Sequence, residues 1–405
     1  MTISRRDFLI ASSAAAAVQG VGPLQSRTSQ PRQRNTFDPW LEIDPKALER
    51  NVRTVARLCG GRPVIAVAKN NAYGCGLSVV GPLLDRIDAI SSIAVVRADE
   101  ARALRRAGVR KPVLLMGPAG DEEAEELVRA NVRLAPYDVS DAARMIRLAR
   151  RVGRAIPVHL YVDTGMHRMG MPHDRVAAWL DNAELRHAMS IEGTFTELTE
   201  DPDFDRQQSA LLRALADAAR SKGLSLGQLH AASSDAIAAA NEETFLDSVR
   251  PGLALYGGYP TAAMMERAEL TPVYRLKARL IRVDRLAPGE GVSYHRRFIA
   301  QQPTTTATLA IGHVDGYPSG AVKGCEVSIR GSLCPVVGTV SASHTVVTVR
   351  DDQHVEIGDE ATLVGPDHPS LHPNVVAQRS GWSEYNMFMH LNPALTRRIR
   401  AEPGL

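Results

Sequence analysis

The chain has 405 residues, 44% of them hydrophobic and 23% charged, with a formal net charge of +3. That apolar content suits two or three packed domains and excludes a chain disordered throughout, while 31 glycines and 24 prolines are too few for a fibrous one. The basic residues form no long block that would argue for nucleic acid. The four cysteines (Cys59, Cys75, Cys325 and Cys334) are too few for a disulfide scaffold and make no C-x-x-C pair for zinc, and the body of the chain has no apolar run long enough to span a bilayer.

The N-terminus reads Ser4-Arg5-Arg6-Asp7-Phe8-Leu9-Ile10, followed by a short apolar stretch over residues 11–18. A twin arginine ahead of Phe-Leu and a short apolar region has the form of a twin-arginine export signal. A disordered basic tail, or a short membrane anchor if the peptide is never cut, are the alternatives. Residues 20–36 are rich in Gly, Ser, Gln, Pro and Arg and read as a linker. Residues 1–36 are therefore expected to be an export signal with its linker, removed from a periplasmic protein that then has no membrane attachment. This export route carries folded cargo, which often holds a cofactor inserted beforehand.

Residues 37–268 alternate short apolar runs with amphipathic helices. Runs of strand length occupy 64–68, 92–96, 112–116, 155–162, 190–195 and 225–230, and a helix such as 98–107 is closed by Gly108. Repeated βα units over this length predict a parallel sheet closed into a (β/α)₈ barrel. From 269 to 405 the texture becomes Thr/Val-rich alternation over 304–310, 326–329, 336–340, 345–349 and 361–364, broken by Gly, Asp and Pro turns. This predicts a mostly β second domain. No internal repeat is visible.

The chemistry begins where the 63–68 run ends in Lys69-Asn70-Asn71-Ala72-Tyr73-Gly74-Cys75-Gly76. Residues just past a barrel strand's C-terminal end face the active site. A lysine there is either a surface residue or a partly desolvated amine able to form a Schiff base. Tyr73, four residues on in a Gly-rich turn, could reach an anion.

This segment resembles the cofactor-lysine motif of the alanine racemases, barrel-type (fold type III) pyridoxal 5′-phosphate enzymes. The likeness runs through residues 40–44 with Ala47 and Asn51, 162–170 (VDTGMHRMG), 229–234 (LHAASS), 249–257 (VRPGLALYG), 292–294 (VSY) and 335–340. The resemblance implies that Lys69 carries the cofactor and serves as acid or base on one face of the substrate's Cα. Tyr294 would serve the opposite face, coming from the partner subunit of a homodimer with shared active sites. Racemisation needs a group on each side because the proton leaves one face and returns on the other. Ser234, Gly252, Leu253 and Tyr73 would bind the cofactor's phosphate. Arg250 would face the ring nitrogen, supported by His230, and Arg168 the phenolic oxygen and the substrate. An arginine there cannot accept a proton from the ring, which keeps the ring a poorer electron sink and favours prompt reprotonation. The residues alone leave other roles open: a structural tyrosine at 294, a helix cap at Ser234 and a hydrogen-bonded core histidine at 230. No metal ligand set is expected.

The sequence also departs from the family. Tyr161 stands where many members carry a lysine that positions the arginine matching Arg168, so that prop is expected to be missing. Glu197 replaces a histidine that packs on the cofactor ring. Ser341-Ala342-Ser343 replaces a Cys-Met-Asp segment that helps bind the substrate carboxylate, His313 replaces a tyrosine at the substrate entry, and residues 393–396 hold no tyrosine to reach the phosphate. The reading that follows is a pyridoxal-phosphate-dependent racemase of a free amino acid, with altered or broadened specificity. Ala342 and Glu197 would favour a larger, basic side chain, the latter provided that it faces the pocket rather than Arg168. A lyase or aldolase of the same fold, or a non-catalytic pyridoxal-phosphate or amino-acid binding protein, are the alternatives.

Overall fold

A computed structural model describes residues 37–400; the expected export signal lies outside them. The first sheet is parallel throughout. Its strands are Val64–Val67, Ile90–Val95, Val113–Leu115, Val132–Leu134, Ile156–Asp163, Met189–Phe195 and Gln228–His230, in that spatial order. The ring closes through residues 248–251. Val249 bridges Val64, Ser248 bridges His230, and the Ile65 and Val67 amides donate to the Val249 and Pro251 carbonyls at 2.8 and 2.9 Å. The barrel thus has seven regular strands and an eighth short segment. Its first strand is buried at every position, as expected where helices cover one face and packed side chains the other. The helices between strands carry the amphipathic pattern; Ala98–Arg106, for example, buries Ala101 and Leu104.

The second sheet is antiparallel apart from one parallel edge pair and also closes. Tyr274–Leu286 pairs along its first half with Glu360–Val364 and along its second with Thr304–Leu309. With Thr345–Val349, Ser332–Val337 and Glu326–Ile329 it completes a six-stranded circuit. The alternating burial of Thr345–Val349 matches one face inward and one outward. Trp40–Ile43, which precedes the barrel in sequence, pairs antiparallel to Tyr274–Leu286 and parallel to Thr396–Ile399. It therefore joins the second sheet and ties the first described strand to the last. One apolar core runs through both sheets. Among the described residues no helix is long and apolar enough to cross a membrane, and all four cysteines are buried and free.

Candidate functional site

Lys69 follows the first barrel strand and is half-buried at its C-terminal end. Among the described residues it has no hydrogen-bond or ion-pair partner. The chain then turns left-handed: φ is 53°, 58°, 55° and 50° at Asn70, Asn71, Ala72 and Tyr73. Each such non-glycine residue costs roughly 1–2 kcal/mol, so the turn persists only because its surroundings hold it. The buried Glu100 carboxylate accepts the amides of Asn71 (3.1 Å), Val96 and Arg97 (3.2 Å each). Asn71 Oδ1 accepts the Leu77 amide at 2.9 Å, and Arg397 donates to the Gly74 carbonyl at 2.8 Å. A Cβ at Gly74 would lie 2.2 Å from the Phe388 carbonyl oxygen, so the turn takes glycine there.

The turn delivers Tyr73 to a cradle of backbone amides. Ser234 Oγ accepts the Gly252 and Ala254 amides at 2.9 and 3.2 Å, and the Leu253 amide reaches the Tyr73 hydroxyl. Ser233, not Ser234, caps the following helix by accepting the Asp235 amide, which leaves the Ser234 hydroxyl turned toward Gly252. A Cβ on Gly252 would sit 2.1 Å from the Tyr73 hydroxyl oxygen. Three amides therefore converge on two hydroxyl oxygens where only glycine leaves room, which leaves the hydroxyl protons free to donate and groups the amides where an anion with several oxygens could take their place as acceptor. Tyr73 stacks on Tyr256 at 4.8 Å. Burial, followed by Tyr385 and Glu197, raises the Tyr73 pKa, so it stays a protonated donor. Tyr385 itself is raised by burial and by Glu200, Asp235, Glu384 and Glu197. Tyr385, in the short helix Glu384–Met389 of the second domain, is thus electrostatically coupled to Tyr73 and was not among the residues expected from sequence.

The other end of the site is built around Arg250, which is 4% exposed. Its Nη1 donates to His230 Nδ1 (3.1 Å) and to the His230 carbonyl (2.8 Å). Its Nη2 donates to the Thr196 carbonyl (2.9 Å) and to Glu197 Oε2 (3.0 Å), and its guanidinium lies over Phe195. An arginine only donates, so His230 Nδ1 is an acceptor and its Nε2–H points at His159 Nδ1, 2.8 Å away. Burial, then Arg250 and His159, push the His230 pKa well below its ordinary value, and the neutral pair persists. Gly193 is required beside it, because a Cβ there would approach the His159 ring to 2.6 Å.

The lysine prop is absent, as expected, and its position is taken by Tyr161, whose hydroxyl is coupled to Arg168 and whose ring stacks on Phe195 at 4.4 Å. One expectation is corrected here. Glu197 does not present a free carboxylate. It bridges Arg250 and Arg168, with Oε1 3.5 Å from Arg168 Nη2, so the condition for drawing in a basic side chain does not hold.

The remaining candidates lie apart from these. Tyr294 is 69% exposed. The loops around it are tied together: Ser293 Oγ donates to the Thr339 carbonyl, and the His313 and Val314 amides donate to the Ser341 and Ala342 carbonyls. Tyr294, His313, Ala342 and Ser343 form one exposed face of the second domain. Among the described residues, no hydrogen bond or ion pair joins this face to Lys69.

Comparison with known proteins gives a consistent result. The family model described as alanine racemase, N-terminal domain, matches residues 43–260, and that for the C-terminal domain matches 273–399. An alanine racemase of Geobacter sp. (strain M21) is 31% identical over 372 residues, covering 89% of this chain and 97% of that protein. An alanine racemase structure from Clostridium difficile 630 superposes with a TM-score of 0.81 at 26% identity, over 89% of this chain and 95% of the other. The fold is also that of a Bartonella henselae alanine racemase with covalently bound pyridoxal phosphate, at TM-score 0.77 and 24% identity over 90% and 100% of the two chains.

Proposed function

The chain belongs to the alanine racemase family, and from that premise we propose that it is a pyridoxal-phosphate-dependent racemase of a free amino acid other than, or broader than, alanine. The observation that carries the cofactor assignment is the convergence of the Gly252, Leu253 and Ala254 amides on the Ser234 and Tyr73 hydroxyls, one left-handed turn from Lys69. The residues fit the group: a phosphate's oxygens match that cradle, and Lys69 is the amine at the strand end. Pyridoxal phosphate, when bound, supplies the electron withdrawal that makes a substrate's α-proton acidic.

This chain's residues do the rest. Ser234 and Tyr73 anchor the phosphate, and Arg250, immobilised by four acceptors, fixes the far end of the site. Lys69 moves a proton at Cα on one face. Arg168, the cation open to solvent on this side, takes the substrate's carboxylate by paired donation. Tyr294 serves the other face from a second subunit, which accounts for its exposure in a single chain. The rewritten face of Ser341, Ala342, Ser343 and His313 offers less bulk at the mouth, and a methylene there is worth about 1–3 kcal/mol of discrimination. Glu197 is engaged by two arginines, which withdraws the carboxylate on which other chemistry at the ring would depend.

The test is chiral analysis of alanine, serine, methionine, lysine and arginine with the purified protein, together with borohydride fixation of the cofactor. We expect inversion with higher kcat/KM for a larger neutral side chain than for alanine, and an adduct that Lys69→Ala abolishes. A preference for alanine over the other four refutes the altered specificity alone. A loaded protein that inverts nothing refutes the racemase. Export is proposed on Arg5 and Arg6, and replacing both with lysine should keep the protein in the cytoplasm.

A further inference from the structure

The open cation of the site is already occupied on one side. Arg168 has 58% of its side chain exposed, Arg250 only 3%, and one carboxylate, Glu197, lies between them. The two arginines depend on it unequally. Arg250 keeps three other acceptors and the Phe195 ring. Arg168 pairs with Glu197 at 3.5 Å, with the Tyr161 hydroxyl coupled to it. Glu197 is itself held, since its own carbonyl accepts Gln208 Nε2 at 3.0 Å and the preceding Thr196 hydroxyl bonds Thr164 at 2.7 Å. The end of the Met189–Phe195 strand is thus bolted down, and its next carboxylate has a fixed reach.

Resting on the reading of Arg168 as the group that meets the substrate's α-carboxylate, we propose that Glu197 is the positioning residue that aims Arg168 and reduces the positive charge it offers. A guanidinium already facing a carboxylate binds a second one less tightly, because the incoming anion meets the resident one. The same resident charge disfavours a further carboxylate, so the site selects monocarboxylic amino acids and rejects aspartate and glutamate.

Glu197→Gln in the loaded enzyme tests this, since glutamine keeps the size and a hydrogen bond to Arg250 but removes the charge. We expect KM for the preferred amino acid to fall about fivefold as Arg168 is unmasked, with a lower kcat because its aim is lost. We also expect the pH midpoint of the bound cofactor's visible absorbance to move down by about half a unit or more, and glutamate to become a competitive inhibitor. Glu197→Asp, which keeps the charge, should restore the wild-type midpoint. A merely structural role would lower cofactor loading or raise KM, and either result overturns the proposal, as do an unchanged KM and midpoint at full loading. Acetate, followed through the same absorbance, separates this from the racemase reading. If the wild type inverts no amino acid, tighter acetate binding by Glu197→Gln still supports the role of Glu197, and equal binding overturns it. A protein that takes up no pyridoxal phosphate overturns both.

Discussion

His159 and His372 are stripped of hydration by burial and held near pKa 4 instead of 6.5, and burial likewise holds His230 well below its ordinary value. Between those values the unfolded chain takes up a proton at each imidazole and the folded chain does not. Stability therefore rises with pH across the window and is lost as pH falls from about 6.5 toward 4, by about 1.4 kcal/mol per unit for each group. Asp235 opposes this: burial, then Glu200 and Asp205, raise it to about 6, so the folded chain holds a proton there first. Burial also raises Asp205 and Asp315, which act in the same sense as Asp235, and the larger shifts of the three histidines outweigh those of these aspartates. The melting temperature should fall as pH is lowered through this window, and less steeply in His372→Asn, where asparagine preserves the cap to the Asn374 amide. An unchanged slope in that variant would show that His372 is protonated in the fold. At this scale the sequence was informative about Lys69, Tyr73, Ser234, Arg250 and Gly252, because each stands in a short motif beside a strand end. It was silent on the Tyr161–Phe195 stack beside Arg168 and the two-armed pairing of Glu197. Those depend on side chains from neighbouring strands meeting above the barrel, which local pattern does not encode.

The left-handed turn after Lys69 is the element on which the site depends. Asparagine tolerates positive φ, but Ala72 and Tyr73 do not adopt it unaided, so the turn cannot be read from its own residues. It is imposed by Glu100 from the neighbouring helix and by Arg397 from the chain's last strand. Glu100→Ala would leave three amides without their acceptor, each costing about 1–3 kcal/mol where buried. We expect it to lower the melting temperature by several degrees and to lose the borohydride-fixed adduct even at saturating pyridoxal phosphate. Glu100→Gln, with one acceptor oxygen, should fall between it and wild type. An alanine variant that unfolds earlier yet loads cofactor fully would mean that the turn is held by Arg397 and Gly74 alone. The elements themselves were largely legible where buried strands read as continuous apolar runs. Two were not. Residues 248–251 close the barrel through a segment containing Pro251, which has no amide to give a ladder, and Trp40–Ile43 pairs with Tyr274–Leu286, a partner more than 200 positions away that no local signal names.

In the whole molecule, no hydrogen bond or ion pair among the described residues joins the two halves of the proposed chemistry. Lys69 and the cradle open at the barrel's C-terminal end, whereas Tyr294 stands 69% exposed among the tied loops of the second domain. A proton acceptor left in solvent cannot work on the far face of a Cα held at Lys69. Under the proposed homodimer, a second copy of the chain would bring the same exposed tyrosine face to the first copy's barrel, and two-fold symmetry would complete both sites at once. Complementation follows from this arithmetic. A homodimer of Lys69→Ala lacks the amine in both sites, and one of Tyr294→Phe lacks the opposite acid in both. In the mixed dimer one site combines wild-type Lys69 with wild-type Tyr294, and the other lacks both. Statistical exchange places half the dimers in the mixed form, each with one working site, so activity should return to about a quarter of wild type per subunit. The measurement is racemisation by the two inactive proteins after co-refolding, with exchange confirmed by differently tagged chains. Recovery near that level places Tyr294 in the partner's site. Proven exchange without recovery means that each chain completes its own site, and that the exposed face of Tyr294, His313 and Ala342 closes onto Lys69 within one subunit.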